Sequence, residues 1–222
     1  YCGSFTLCAS DDIDYDFKAG AIELADLDNW CSADAAYTTV NASSDGPKGS
    51  CWNTGSNYDR WFVFQATTNQ VTIDLKTGGD EGTIQYPYIA LWDTLNNEMA
   101  CARYTTQYGD LRIGEDNLTP GEWYYITVDN YAAAGYRGTF TLCINDQIDY
   151  DFKAGALEIS PYADYCSADA EFTTINASAD GIKGSCWNTG PNYNRWFKFQ
   201  ATGPNVTVLL KTGGTEGDLQ YP

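Results

Sequence analysis

The chain contains a long internal repeat, and this repeat constrains the fold more than any other feature of the sequence. Residues 1–87 align without a gap with residues 136–222, and 58 of the 87 aligned pairs are identical. The phrase GSCWNTGSNYDRWFVFQAT returns 135 residues later as GSCWNTGPNYNRWFKFQAT. One unit of a solenoid is shorter, at roughly 20–45 residues, whereas a period of this length matches a domain with its own core. We therefore predict globular domains joined in tandem.

The phase of the repeat predicts where these domains begin and end. Tyr1 aligns with Tyr136, which stands just before the last strand-like segment of a copy. We expect the last strand of a preceding copy, one complete copy and the N-terminal part of a further copy, at residues 1–9, 10–144 and 145–222. Under this interpretation the sequence is an excerpt from a longer array.

Acidic residues dominate the charge of the chain. It has 30 Asp and Glu against 12 Lys and Arg, for a formal net charge of -18. Nucleic acids and anionic lipid surfaces are bound through clustered basic residues, so neither is expected as a partner. The sequence also lacks the apolar run of about 18 residues that a membrane span requires, so no direct membrane insertion is expected.

Strand-like segments fill the period. Aromatic residues make up 15% of the chain, and β-rich segments alternate with clusters of Gly, Asn, Asp and Pro. Nine segments of one period are predicted as strands: DFKAGAIEL, AYTTVNA, RWFVFQA, QVTIDLKT, YIALWD, EMACARY, DLRIG, EWYYITVDN and GTFTLC. Short strands without crossover helices predict an all-β fold, an antiparallel β-sandwich with jelly-roll-like connections in each copy.

Differences between the two copies indicate which face of a strand is solvated. Val63 is replaced by Lys198, and Asp74 is replaced by Leu209. Such exchanges are tolerated most easily on a face that contacts water, and neighbouring side chains of a strand point to opposite faces. The side chains predicted to point into the core are therefore Phe62, Phe64, Val71, Ile73 and Leu75.

The cysteines recur with the repeat. Cys31 and Cys51 return as Cys166 and Cys186, and a full period holds four cysteines. The chain has no His and no CxxC spacing, so disulfides in an oxidising compartment are favoured over zinc. Four cysteines allow three pairings. We favour Cys31 with Cys51, which closes a short loop around AYTTVNAS, and Cys101 with Cys143, which ties the mid-domain strand ACARY to the final strand GTFTLC. In the next copy Cys166 then pairs with Cys186, and a loop of this size is worth roughly 3 kcal/mol. Cys2 stands where the other copy has an arginine, and its partner is left open.

The absence of histidine removes several enzyme classes. Ser-His-Asp and Cys-His arrangements and HExxH zinc sites all need a residue that this chain lacks. The GxSxG, GxxxxGK[ST] and GxGxxG motifs are also absent. A pair of carboxylates could support glycoside hydrolysis, but 30 acidic residues provide so many pairs that none is informative. We expect a protein that is not an enzyme.

The order of these motifs resembles a known bacterial family. RWFVFQAT, QVTIDL, YIALWD, LTPGEWYYITVDN and GTFTLC, within residues 30–143, are similar to the pre-peptidase C-terminal domain. The resemblance implies a β-sandwich appended to secreted bacterial proteins. The cysteine-containing form is similar to modules repeated along very large surface and secreted proteins of Bacteroidota. It implies a cell-surface location, a role as spacer, adhesive unit or filament segment, and contacts with neighbouring repeats of the same chain. Identical chains in a filament are a further candidate partner, because long repeat proteins tend to bundle.

Aromatic residues offer an alternative function in glycan binding. Trp52, Trp92 and Trp123, together with the amide-rich loop NTGSNYDR, combine rings for stacking with groups that hydrogen-bond to sugars. The same residues also suit a buried core, which is the more common location of Trp in a sandwich. The alternative therefore depends on at least two of these rings being exposed in one plane.

A spacing of three carboxylates, D-x-x-D-x-D, occurs at the join between copies. It consists of Asp11, Asp14 and Asp16 in one copy and of Asp146, Asp149 and Asp151 in the next. Calcium is bound by six to eight oxygen atoms, and related secreted domains use it to stiffen such joins, so calcium is a candidate cofactor. The alternative is that these acids only keep the linker solvated.

Together these observations predict a non-enzymatic, disulfide-stapled spacer of an extracellular adhesin or filament, with a carbohydrate-binding module as the alternative.

Overall fold

The computed structural model describes residues 4, 6 and 14–220, apart from 45, 54, 56, 105, 132, 161–164, 176, 179–182 and 188–191. Within this part the structure is all-β, and no helix is long and apolar enough to cross a membrane. The described strands of the first copy are β1 (Ile22–Glu23), β2 (Trp30–Cys31), β3 (Tyr37–Thr38), β4 (Arg60–Gln65), β5 (Val71–Lys76), β6 (Pro87–Trp92), β7 (Glu98–Arg103), β8 (Leu111–Glu115), β9 (Trp123–Asn130) and β10 (Thr139–Asn145).

These strands form two sheets that pack face to face. Sheet A has the order β1-β4-β9-β6-β7, and sheet B has the order β2-β10-β5-β8, with β3 also paired to β10. The pairs are antiparallel except β1 with β4, which is parallel. Between β4 and β10 only β6 and β7 follow each other within one sheet, and every other connection crosses to the opposite sheet. The predicted β-sandwich is therefore confirmed.

The core lies between the two sheets, where the sequence places it. Phe62 and Phe64 of β4 are fully buried, and so are Ile73 and Leu75 of β5, while Val63 is only partly buried. Burial on alternate positions is what a strand with one core face requires. The predicted inward faces are confirmed, and other members of the cluster include Ile89, Leu91, Ile126, Val128, Phe140, Leu142 and Ile144.

The first two predicted segments differ most from the structure. DFKAGAIEL forms a 3-10 turn at Lys18–Gly20 followed by the two-residue strand β1, and AYTTVNA provides only β3. Strand β2 was not predicted. Each of these strands pairs over two residues only, with β4 or with β10. A pairing of that length is too short to produce an alternating pattern.

A second apolar cluster covers the outer face of sheet A and explains the repeated phrase. Its buried members are Trp52, Trp61, Tyr88, Ala90 and Trp92. Both tryptophans of GSCWNTGSNYDRW belong to it, and the Trp52 ring stacks on Tyr88 at 5.6 Å between centroids. The backbone N–H and hydroxyl of Ser50 donate to the Glu98 carboxylate, each at 2.5 Å, so the phrase is also held to β7.

The disulfides differ from the predicted pairing. Cys31 is bonded to Cys143, and Cys51 is bonded to Cys101. The pairings of Cys31 with Cys51 and of Cys101 with Cys143 were therefore wrong. Cys31 on β2 lies directly opposite Cys143 on β10, with the Cα atoms 4.0 Å apart. Cys51 lies instead against β7, on the outer face of sheet A. The bonds close loops with sequence separations of 112 and 50, so each contributes up to roughly 4–5 kcal/mol by the chain-entropy relation.

The second copy repeats the local structure of the first. Its 3-10 turn at Lys153–Gly155 and its two strands, β11 (Leu157–Glu158) and β12 (Phe197–Lys198), occur 135 residues after their counterparts, and β11 is again parallel to β12. Val208 and Leu210, which correspond to the buried Ile73 and Leu75, are 80% and 65% exposed. Residues 145–222 contain no counterparts of β6–β10, the strands that cover these positions in the first copy.

Cys166 and Cys186 carry exposed free thiols. The disulfide predicted between them is therefore not formed. Their counterparts Cys31 and Cys51 pair with Cys143 and Cys101, which have no equivalent among residues 145–222. Cys2 and Cys8 lie outside the described residues, as does most of the segment 1–9 predicted as a strand of a preceding copy.

Candidate functional site

The acidic motif at the start of each copy holds an arginine. Arg60 Nη1 lies 3.1 Å from Asp16 Oδ1, and both side chains are more than nine-tenths buried. The guanidinium also donates to the carbonyl oxygens of Thr38 and Val40, at 3.0 Å and 2.9 Å. Asp14 Oδ1 accepts the backbone N–H of Asp16 at 2.8 Å. The first strand of the core, β4, is thereby tied to the segment that precedes it.

The second copy builds the same arrangement. Arg195 Nη1 lies 2.9 Å from Asp151 Oδ1, and the guanidinium donates to the carbonyls of Thr173 and Ile175. The N–H of Asp151 donates to Asp149 Oδ1 at 2.8 Å, as in the first copy. Two copies with different neighbours thus form the same contacts, which assigns a structural role to the repeated carboxylates.

These carboxylates do not fit a calcium ion. Asp16 and Asp151 each face a guanidinium, whose positive charge opposes a second cation. Among the described residues no three acidic, Cys or His side chains are grouped so that they could hold a metal. Asp11 lies outside the described residues. The calcium site expected from the sequence is therefore untested as a whole, and its described part does not favour an ion.

Asp146 joins the two copies. Its side chain is buried, and its Oδ2 accepts the backbone N–H of Thr67 at 2.9 Å and the Thr67 hydroxyl at 2.6 Å. The Asp146 N–H donates to the carbonyl of Leu27 at 3.1 Å, and the Thr68 hydroxyl donates to the Asp146 carbonyl. Further along, the Asp149 N–H donates to Gln70 Oε1 at 3.3 Å. The linker is therefore bonded along one end of the first sandwich.

Gly114 allows the second copy to approach that end closely. It lies inside β8, where it pairs with Thr72, and a glycine inside a strand often marks a close approach. A Cβ atom built on Gly114 would lie 2.7 Å from Cζ of Phe152 and 2.6 Å from Oγ of Ser178. Any other residue at position 114 would therefore collide with the second copy.

The repeat provides an internal comparison for this contact. Phe152 is 3% exposed, whereas its counterpart Phe17 is 48% exposed. Ser178 is buried and its counterpart Ser43 is exposed, although the N–H of each donates to the equivalent Asp carboxylate. The surface around Phe17 and Ser43 is thus exposed in the first copy. The equivalent surface of the second copy, around Phe152 and Ser178, is packed against the first copy.

Charge adds to the contact. Arg112 forms an ion pair with Asp74. Arg112 lies on β8, the strand whose Gly114 contacts the second copy. Burial lowers the pKa of Arg112, but the hydrogen bond and charge of Asp74 outweigh it, and the carboxylates of Asp151 and Asp149 raise this pKa further. Carboxylates of the second copy thus stabilise a cation of the first. A groove of about 600 Å³ remains beside this contact.

The predicted glycan contacts are not brought together. Trp52 and Trp92 are buried in the outer cluster of sheet A, so they offer no stacking surface. Trp123 at the start of β9 is 36% exposed. These three residues therefore do not supply the two exposed rings that the glycan-binding alternative needs, because the loop around Cys51 folds over sheet A.

The residues that build the junction were missed in the sequence. Arg60 could have been found, because a basic residue that recurs as Arg195 beside the core of an acidic chain requires an acidic partner. Gly114 could have been found as a glycine within a strand-like segment. No pattern indicated Thr67. Comparison with models of known protein families and with curated proteins found no match for this chain.

Proposed function

We propose that this chain is a segment of a long extracellular bacterial surface protein, an adhesin or filament, in which it acts without catalysis as a rigid spacer. The observation that carries the proposal is the close contact of Gly114 with Phe152 and Ser178. A spacer needs a fixed angle between successive domains, and a contact without room for a single Cβ favours one packed arrangement of the two copies. The partners in this function are neighbouring repeats of the same chain, and identical chains beside it in a filament.

Hydrogen bonds support the same proposal. A flexible linker is exposed and makes few contacts, whereas Asp146 is buried and bonded to three residues of the first copy. The exposed surface around Phe17 matches the covered surface around Phe152, so a copy placed before the first one can form the same junction. Repetition of one junction gives a straight or regularly curved array.

The disulfides support an exported location. Two of them lock the described part of the first copy, and such bonds persist in oxidising compartments rather than in the cytosol. Within that setting, the bacterial cell surface is our proposal. It rests on the tandem organisation and on the family resemblance of the sequence.

The experiment is small-angle scattering on the full chain and on a Gly114→Val variant. Valine suits a strand, so the sandwich keeps its stability, but the side chain displaces Phe152 and Ser178. We expect a broader distribution of interatomic distances with an unchanged first unfolding transition.

Gly135→Val is the matched control, because a Cβ atom at Gly135 meets nothing within 4 Å. Its scattering should equal that of the unchanged chain. Identical scattering of all three proteins would contradict the proposal, since the contact at Gly114 would then not set the angle between the copies.

A further inference from the structure

Tyrosines from four separate segments meet in a pocket of about 340 Å³. Tyr86 precedes β6, Tyr104 follows β7, Tyr131 follows β9, and Tyr136 precedes β10. Asn145 and Asp146, which lead into the second copy, lie at the other end of β10. The pocket is therefore remote from the described junction.

The backbone fixes the positions of these rings. The Tyr86 N–H donates to the carbonyl of Gln107 at 3.0 Å, and the Tyr86 carbonyl accepts the N–H of Tyr131 at 3.1 Å. The Tyr136 carbonyl accepts the N–H of Gln85 at 2.9 Å. Tyr86 has a φ of +50°, a conformation that non-glycine residues adopt rarely and keep only where the surroundings impose it. Strain of this kind is concentrated at binding sites.

The rings form a bowl rather than a packed core. The Tyr86 centroid lies 4.9 Å from that of Tyr136 and 6.4 Å from that of Tyr131, with interplanar angles of 63° and 60°. Tyr131 is 42% exposed, and Tyr86, Tyr104 and Tyr136 are half-buried. Within the described residues, the hydroxyls of these four tyrosines form no hydrogen bond.

Polar groups stand at the rim of the pocket. Arg103 donates to the side-chain oxygen of Asn53, and both residues line the pocket together with Tyr88. Small-molecule sites combine mostly aromatic walls with a few such polar groups, in volumes from about 300 Å³ upwards. Tyrosine offers a large, rigid contact area with a hydroxyl at its edge, at a small cost in conformational entropy.

We propose that this pocket binds one ring of a neutral saccharide. The apolar face of a pyranose packs on Tyr131 and Tyr86, and its hydroxyls exchange hydrogen bonds with the tyrosine hydroxyls, Asn53 and Arg103. Arg103 is the one charged residue among the described residues that line the pocket, and it is already bonded to Asn53, so the net charge of -18 still disfavours an acidic saccharide. A proline-rich peptide docks along an extended groove of aromatic residues, whereas these rings surround a short pocket on several sides.

Titration calorimetry of the full chain tests this site. The probes are neutral hexasaccharides of β-1,4-linked glucose, N-acetylglucosamine, xylose and mannose, with hexagalacturonate as the acidic probe and a proline-rich decapeptide as the peptide probe. We expect at least one neutral hexasaccharide to bind. Tyr131→Ala should weaken that binding roughly ten-fold, because it removes an aromatic stacking surface, while Tyr131→Phe keeps most of it.

Trp123→Ala is the matched control, because Trp123 is also a partly exposed aromatic residue but lies outside the pocket. This variant should bind as tightly as the unchanged chain, and the melting temperature of each variant checks that it is folded. The proposal is overturned if no neutral hexasaccharide binds, if only the decapeptide or the hexagalacturonate binds, or if Trp123→Ala weakens binding and Tyr131→Ala does not. These results leave the spacer function untouched, because that function depends on Gly114.

Discussion

Arg60 and Asp16 form a buried ion pair with 3.1 Å between Nη1 and Oδ1, and the pair recurs 135 residues later as Arg195 and Asp151 at 2.9 Å. Arg60 is the first residue of β4, and Arg195 lies two residues before β12. In both copies the carboxylate lies just before the turn that leads into the sheet. The ion pair thus fixes the entry of the chain into each domain.

Removing one partner of this ion pair should destabilise the first sandwich. Asp16→Asn leaves the guanidinium of Arg60 buried without its counter-charge, which costs roughly 3 kcal/mol. Denaturant unfolding measures the loss. Asp34→Asn, a change of the same kind at an exposed carboxylate, should leave stability within about 0.5 kcal/mol of the unchanged chain. Equal stability of both variants would show that the pair contributes nothing.

Peptide mapping without reduction should recover Cys31 linked to Cys143 and Cys51 linked to Cys101. Because these bonds close long loops, reducing both should lower the free energy of unfolding by several kcal/mol, with about 4–5 kcal/mol each as the upper limit. Alkylation before reduction should label Cys166 and Cys186, whose thiols are exposed. Recovery of Cys31 linked to Cys51 would restore the pairing favoured from sequence and contradict the structure.

Asp129 should make the chain less stable as the pH rises. Burial raises the pKa of Asp129 to about 7. Hydrogen bonds from the backbones of Asn130 and Tyr58 lower this pKa, as do the charges of Lys48 and Arg137, but burial is the larger effect. Between pH 4 and pH 7 the folded chain then holds a proton that the unfolded chain has lost. Stability therefore falls across that range, by up to roughly 4 kcal/mol for a shift of this size.

Asp129→Asn mimics the protonated side chain and isolates this effect. The variant should be more stable than the unchanged chain at pH 8 and should match it near pH 4. Urea unfolding at a series of pH values gives both curves. Parallel curves for the two proteins would mean that Asp129 titrates with an ordinary pKa in the folded state.

Calcium should leave the melting temperature unchanged. Asp16, Asp151 and Asp146 are engaged by Arg60, Arg195 and Thr67, and the described residues of the motif offer no group of three to an ion. Thermal unfolding in millimolar calcium and in chelator checks this expectation. A higher melting temperature in calcium that disappears in Asp11→Asn would instead assign an ion to the motif.

The sequence predicts the sandwich well because alternation is visible along its long strands. In β5 the buried Val71, Ile73 and Leu75 alternate with partly buried positions. In β4 the partly buried Val63, between Phe62 and Phe64, is replaced by lysine in the second copy. Strand β2 pairs over two residues with β10, and no alternation can be read from Trp30 and Cys31 alone. The disulfide of Cys31 depends on that pairing, so it could not be derived from spacing.

The candidate site was less predictable than the fold. Asp16 and Asp151 were interpreted as metal ligands because carboxylates at close spacing suit calcium, but each is matched with an arginine that is distant in sequence. Trp52 was interpreted as a possible sugar platform because exposure cannot be read from residue type. Its burial depends on a loop that folds across sheet A and is held there by Cys51.

Amide hydrogen exchange at Ser178 and Ser43 tests the rigid junction most directly. Each N–H donates to the equivalent carboxylate, Asp151 or Asp16, so the two amides differ in their surroundings rather than in their hydrogen bond. If the copies are held together, the Ser178 amide should exchange at least roughly ten-fold more slowly than the Ser43 amide. The reason is that the contact between Gly114 and the second copy must open before Ser178 can exchange. Gly114→Val should remove that difference and Gly135→Val should keep it. Equal exchange at Ser178 and Ser43 in the unchanged chain would contradict the account, because the two copies would then move independently.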